Sequence, residues 1–159
     1  VDPPSLQAMQ LRFLSSLVLL ACLQQAAGVP VQSLFSPATW KDCGDGATTL
    51  TVTNVVISPS PVKTGANFTM IVECTSAGVI STGSLDTKVY LAGVQVHSET
   101  GPLCDNTACP VKAGTMKIST TSYMPIITPP GWYEVKLSGS DQDQLPAICA
   151  DIHFSVVVG

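Results

Sequence analysis

From Leu50 onward, apolar residues recur at every second position in short runs punctuated by proline and glycine, a pattern that builds sheets and leaves little room for long helices. Leu50 to Ser58 is rich in β-formers and stops at Pro59-Ser60-Pro61. Asn67 to Ser76 sets Phe68, Met70, Val72 and Cys74 on one face and Asn67, Thr69 and Glu73 on the other, with Ile71 interrupting the polar side. Leu85, Thr87, Val89 and Leu91 alternate with Asp86 and Lys88, and Val94 and Val96 follow Gly93, which implies a tight turn and a returning strand. Thr115 to Ser122 sets Met116 and Ile118 against Lys117, and Trp132 to Leu137 sets Tyr133, Val135 and Leu137 against Glu134 and Lys136. In the last run Ile148, Ala150, Ile152, Phe154 and Val156 alternate with Cys149, Asp151 and His153. No 3.6-residue apolar period follows residue 30. Half-buried strands with turn signals every ten or so residues imply an all-β chain, an antiparallel β-sandwich in a single domain.

The N-terminus has a different grammar. Arg12 precedes a run from Phe13 to Leu23 that is apolar except for Ser15 and Ser16, and Gln24-Gln25-Ala26-Ala27-Gly28 ends in small residues. These are the parts of a secretory signal peptide, with cleavage expected after Gly28, and the apolar run is too short to cross a ~30 Å hydrocarbon core. Met9 reads as the initiator, so residues 1–28 comprise upstream residues and a cleaved signal, residues 29–39 a linker-like segment and residues 40–159 the domain. A secreted or luminal protein follows, extracellular or in a vacuolar, lysosomal or endosomal lumen.

Seven Lys and Arg against eleven Asp and Glu give a net charge of −4, without the clustered cations that phosphate backbones require, so nucleic acid is excluded as a partner. Of six cysteines, Cys22 leaves with the signal, and Cys43, Cys74, Cys104, Cys109 and Cys149 remain, giving two bridges and one free thiol. Fifteen such arrangements exist and spacing does not choose among them. The polar stretch from Cys104 to Cys109 suits a short bridge contributing about 2 kcal/mol, and a Cys43–Cys149 bridge closing about a hundred residues would contribute ~4–5 kcal/mol. No paired zinc-ligand spacing occurs, so no metal or other cofactor is expected. The sequon Asn67-Phe68-Thr69 makes Asn67 a glycosylation candidate on the surface.

Several blocks carry a family resemblance. Trp40-Lys41-Asp42-Cys43-Gly44, then Ile57-Ser58-Pro59-Ser60-Pro61-Val62 and Gly65, resemble the opening of an ML (lipid-recognition) domain. Val96-His97-Ser98-Glu99-Thr100, Leu103-Cys104, Ala108-Cys109-Pro110-Val111 and Gly114 are similar to the plant and fungal branch, the phosphatidylglycerol/phosphatidylinositol transfer proteins. Thr128-Pro129-Pro130-Gly131, Tyr133, Lys136 and Cys149 continue the likeness, which spans about Trp40 to Val158. The soluble Niemann-Pick type C sterol carrier is a relative of this branch.

The resemblance implies an immunoglobulin-like sandwich with an internal lipid cavity, bridges Cys43–Cys149 and Cys104–Cys109, and a free thiol at Cys74, buried and inert. It implies a lipid-binding and lipid-transfer protein, with a sterol or phospholipid as ligand, transient membrane contact for loading and release, and a monomer that could also meet a membrane-protein partner. Facing sheets normally interdigitate, but splayed ones leave a hollow, and an acyl chain entering it gains ~0.8 kcal/mol per buried methylene. The candidate wall residues are Phe68, Met70, Val72, Val89, Val96 and Met116, with Tyr133, Val135, Ile152 and Phe154. Met124 and Ile126, with Ile127, lie in an apolar loop expected at the mouth or at a membrane-touching lip.

His97 reads as a polar strand-end residue beside the Cys104–Cys109 loop, His153 as outward-facing, and Glu99 and the Asp141/Asp143 pair as turn charges. No Gly-x-Ser-x-Gly elbow, phosphate-cradling loop or metal motif is present, so catalysis is not expected. The alternative is a secreted immunoglobulin-like recognition module whose core is filled and holds no ligand.

Overall fold

The computed structural model describes residues 37–159, a domain built almost wholly of strands. The signal-peptide assignment and the linker-like segment up to residue 36 lie outside the described residues. The strands are β1 (Thr39–Asp42), β2 (Leu50–Ser58), β3 (Val62–Lys63), β4 (Asn67–Ser76), β5 (Gly83–Leu91), β6 (Val94–Pro102), β7 (Gly114–Tyr123), β8 (Gly131–Asp141) and β9 (Pro146–Val157), with one turn of 3-10 helix at Leu103–Asp105. They form two layers. One has the order β1-β9-β8-β5-β6 with the two-residue β3 lying parallel to β9, and the other is β2-β4-β7; every other pairing is antiparallel. The antiparallel β-sandwich expected from the alternation, in the immunoglobulin-like form the family resemblance implies, is the architecture observed.

Local chemistry explains each feature that positions the layers. At the β5–β6 hairpin Ala92 and Gly93 both take positive φ, 50° and 80°, the two-residue turn whose twist suits antiparallel strands. Asp42, in the Trp-Lys-Asp-Cys-Gly block, accepts the Gly44 amide at 2.8 Å and the Val52 amide at 2.7 Å. The second bond reaches β2 where its register against β4 shifts between Val52 and Asn54, so one carboxylate both shapes the β1–β2 connection and serves an irregular point in the ladder.

The inward faces meet tightly at one end. Leu50, Ile80, Leu103 and Ile148 are at most 1% exposed, and each such burial contributes about 1.5–3 kcal/mol. Paired backbone bonds between Ile80 and Val111, 3.1 and 2.8 Å, seal this end. Both disulfides, Cys43–Cys149 and Cys104–Cys109, flank it, and Cys74 is the free, buried cysteine among the described residues. Past Leu103 the chain crosses between layers: the Asn106 carbonyl accepts the Ser119 amide at 2.9 Å and its side-chain oxygen accepts the Thr120 hydroxyl at 3.0 Å. That clasp joins the β6 edge of the larger sheet to the β7 edge of the smaller.

β1 begins at Thr39 and Ala38 packs against the core. β1 and the two-residue β3 were not separable in the sequence from the segments around them.

Candidate functional site

Past Val72 and Ile118 the layers part. β2 stays against β1 and β9 on one side, whereas β7 has no such approach to β5 or β6. The space between holds a hollow of about 540 Å³ bounded by β4 and β7 on one side and β5, β6, β8 and β9 on the other. This volume is typical of small-molecule sites, which run about 300–1,000 Å³. A core that leaves such a void unfilled forfeits packing that a guest can restore. This hollow does not favour the filled-core alternative.

Of the candidate wall residues, Phe68, Met70 and Val72 of β4, Val89 of β5, Val96 of β6, Tyr133 and Val135 of β8 and Phe154 of β9 all line the hollow, as does Met124 beyond β7. The Phe154 ring lies 6.0 Å from Phe68 and 5.9 Å from Tyr133, an aromatic row that links the layers. Three expected residues do not reach it. Met116 has the inward parity but pairs with Cys74 on the closed side of the clasp, where it packs against core. Ile152 is fully buried on β9, flanked in its sheet by Trp40 and Val135, on the strand that β2 of the other layer approaches. Ile126 points to solvent, 77% exposed, while its neighbour Ile127 faces the mouth.

The rim holds what the alternation missed. β6 shifts register between Val89 and Tyr90: Val89 pairs with His97 and Tyr90 with Gln95, so Val96 is an extra residue. Beyond it the parity is inverted relative to a simple count from Val94. Thr87 then pairs with Glu99, and both His97 and Glu99 line the hollow. His97 is therefore not a strand-end residue beside the Cys104–Cys109 loop, and Glu99 is not a turn charge; the two sit mid-strand at the opening, with His97 Nε2 3.7 Å from Glu99 Oε2. A bulge of this kind has no signature in a period-2 pattern. Across the opening stand Thr120, Ser122 and Tyr123 of β7. His153 is outward and exposed as expected, and Asp141 is a turn residue whose carboxylate accepts the Asp143 and Leu145 amides at 2.9 and 3.0 Å.

The loop from Met124 to Pro130 closes the far side of the mouth. It is held from two directions. Gly65 donates to the Met124 carbonyl and Met124 to the Ala66 carbonyl, at 2.8 and 2.9 Å, while the buried Tyr133 hydroxyl donates to the Pro129 carbonyl at 2.8 Å. Burial pushes the Tyr133 phenol above its usual range, as befits a ring inserted in an apolar wall. Around the opening Tyr123, Ile127 and Val96 are more than half exposed, an apolar lip on a polar-walled entrance.

Elsewhere, burial and the negative charge of Asp42 push the Cys74 thiol up to about 12, so Cys74 is a neutral core residue. Asn67 is exposed at the start of β4. No group of three metal-ligating side chains and no helix long and apolar enough to cross a membrane occurs among the described residues.

The model of the ML domain matches residues 37–156. The chain belongs to the ML domain family. Among proteins similar to this ML domain is a phosphatidylglycerol/phosphatidylinositol transfer protein of Mycosarcoma maydis, 28% identical over 121 residues, covering 71% of this chain and 63% of that protein. A putative phosphatidylglycerol/phosphatidylinositol transfer protein of Dictyostelium discoideum is 29% identical over 133 residues, covering 79% of this chain and 94% of that one. The chain thus spans less than two thirds of the length of the first relative and nearly all of the second. In fold, this ML domain is similar to a Niemann-Pick type C2 protein from the Japanese carpenter ant, with a TM-score of 0.59, 14% identity and coverage of 75% of this chain and 99% of that one. It is also similar to chicken MD-1, solved in complex with lipid IVa, with a TM-score of 0.55, 18% identity and coverage of 74% and 88%.

Proposed function

We propose that this ML domain binds and transfers lipid, holding an acyl chain or sterol between its layers. The observation that carries it is the 540 Å³ hollow, walled by Phe68, Met70, Val89, Val135 and Phe154 and opening through an apolar lip. Each methylene moved from water into such a wall gains ~0.8 kcal/mol, so ten offer a gross ~8 kcal/mol before ordering costs. Met70 and Met124, with flexible thioethers, adapt the wall to tails of different shape. The names of the fungal and Dictyostelium relatives support the same reading.

Transfer by this route breaks and makes no covalent bond: the wall desolvates the tail, and the lip touches a membrane to load and release it. The protein works as a monomer in an oxidising compartment of the secretory pathway or outside the cell, where its two disulfides persist. Asn67 carries a glycan there, on the outer face of β4. The test is a transfer assay between donor vesicles bearing a fluorescent phospholipid or sterol and unlabelled acceptors. Catalytic amounts of protein accelerate transfer at least tenfold over spontaneous exchange; unchanged exchange with every lipid tried rejects the proposal.

A further inference from the structure

We infer that the mouth of the hollow selects lipids with an uncharged, hydroxyl-bearing polar end over lipids with an anionic head, and that Glu99 is the residue that sets this preference. The inference rests on the lipid-binding reading above and specifies the ligand class. Its basis is the inventory of the opening. Hydrogen-bonding groups ring it: Glu99 and His97 from β6, Thr87 from β5, and Thr120 and Ser122 from β7. No Lys or Arg is among the described residues that line the hollow. The only formally charged side chain among the lining residues is the carboxylate of Glu99.

That carboxylate belongs to the site because of the bulge. With Val96 extra, Thr87 and Glu99 stand directly opposite each other on the strand face that borders the hollow, and the Glu99 side chain, 74% exposed, stands at its outer rim. Had β6 run in regular register, Ser98 would have taken the place of Glu99 on the face that borders the hollow. Two lysines are committed elsewhere: Lys117 is bonded to Glu73 at 2.7 Å on the outer face, and Lys136 to Glu134 at 3.0 Å.

An anionic phosphate brought to this rim meets a negative charge and finds no guanidinium or ammonium to neutralise it, whereas proteins that recognise phosphate supply such groups. A hydroxyl has the opposite fit. It donates to Glu99 and accepts from His97 or from the Thr87 and Ser122 hydroxyls, the satisfaction that a polar end at the top of an apolar hollow requires. Like-charge exclusion of this kind is a common way to discriminate between ligands whose apolar parts are the same. The preference therefore differs from what the relatives' names describe for those proteins.

A matched pair tests this: dioleoylglycerol and dioleoylphosphatidylglycerol share acyl chains and differ only in the phosphoglycerol head. Each displaces a chain-labelled fluorescent diacylglycerol from the protein at neutral pH and low salt. The wild-type protein is expected to bind the uncharged lipid about fivefold or more tightly than the anionic one, the scale of one solvent-exposed charge contact. Glu99→Lys is expected to narrow or invert that ratio and Glu99→Gln to fall between. Asp143→Lys, which makes the same net-charge change on an exposed turn at the closed end, is expected to leave it unchanged. Equal affinities in the wild type, or a ratio that moves equally in Glu99→Lys and Asp143→Lys, overturns the inference and leaves lipid binding standing. Failure of the fluorescent probe to bind at all overturns both.

Discussion

The Tyr133 hydroxyl donates to the Pro129 carbonyl at 2.8 Å, tying the loop that closes the mouth to a ring that forms part of the wall. One side chain thus couples the hollow's interior to its gate, because the same phenol that packs against Phe154 restrains the backbone around Ile127. Tyr133→Phe keeps the wall and releases the loop. Stability should fall by about 0.5–1.5 kcal/mol, the usual worth of such a bond, and bound lipid should leave several-fold faster in a stopped-flow release assay.

Val135 lies on β8 between Val89 and Ile152 and faces the hollow. Val135→Trp places an indole where the lipid tail would go. Uptake of a fluorescent lipid should drop about tenfold or more, while the melting temperature should hold or rise, because the added ring fills a void rather than overpacking a core. Undiminished uptake would move the binding site elsewhere.

The apolar lip has no cation: Tyr123, Ile126 and Ile127 stand exposed in a stretch without Lys or Arg. Membrane contact should therefore rest on apolar insertion and depend little on salt or on anionic lipid. Ile126→Asp with Ile127→Asp should slow transfer between vesicles at least tenfold yet leave binding of a monomeric lipid within about twofold. Loss of both together would place these residues in the wall rather than on the lip.

Cys74 and Tyr133 both hold their protons in the fold beyond the pH at which the unfolded chain begins to release them, Cys74 up to about 12 because it is buried and near Asp42. The folded state binds more protons than the unfolded state in that window, so stability is fully present below about pH 8.5 and falls as pH rises toward 12. Cys74→Ala should flatten part of this decline in urea titrations at pH 8 and 10.5. In the wild type, iodoacetamide at pH 8 should label Cys74 at least about a hundredfold more slowly than in the unfolded chain.

The two bridges make unequal contributions. Cys43–Cys149 spans 106 positions and Cys104–Cys109 five, so chain-entropy stabilisation is about 4–5 kcal/mol for the first and about 2 kcal/mol for the second. Cys43→Ala with Cys149→Ala should lower the denaturation midpoint far more than Cys104→Ala with Cys109→Ala. The shorter bridge should show its effect instead in the Asn106 clasp, as a mouth that opens further and exchanges lipid faster.

Sequence alone disclosed much of this architecture. β2 and β4 run over the residues their alternation marks, and the inward parity of Tyr133, Val135, Leu137, Ile152 and Phe154 is as the pattern demands. Parity says which way a side chain points, not how far apart the layers stand where it points. Met70 and Met116 have the same parity on neighbouring strands, yet one lines the hollow and the other, partly buried, packs against the core. The bulge at Val96 is hidden for a related reason. An extra residue inverts every side chain beyond it without altering composition, so His97 and Glu99 reached the mouth unannounced. The cysteine pairing matches what the family resemblance implied, where spacing alone left fifteen arrangements open.

Native mass spectrometry of the purified protein, before and after incubation with mixed phospholipid and sterol vesicles, tests the central claim most directly. A hollow that shelters a guest predicts a one-to-one adduct whose mass is that of a lipid, lost in Val135→Trp. A bare polypeptide mass under both conditions, with the fold intact by circular dichroism, would contradict it.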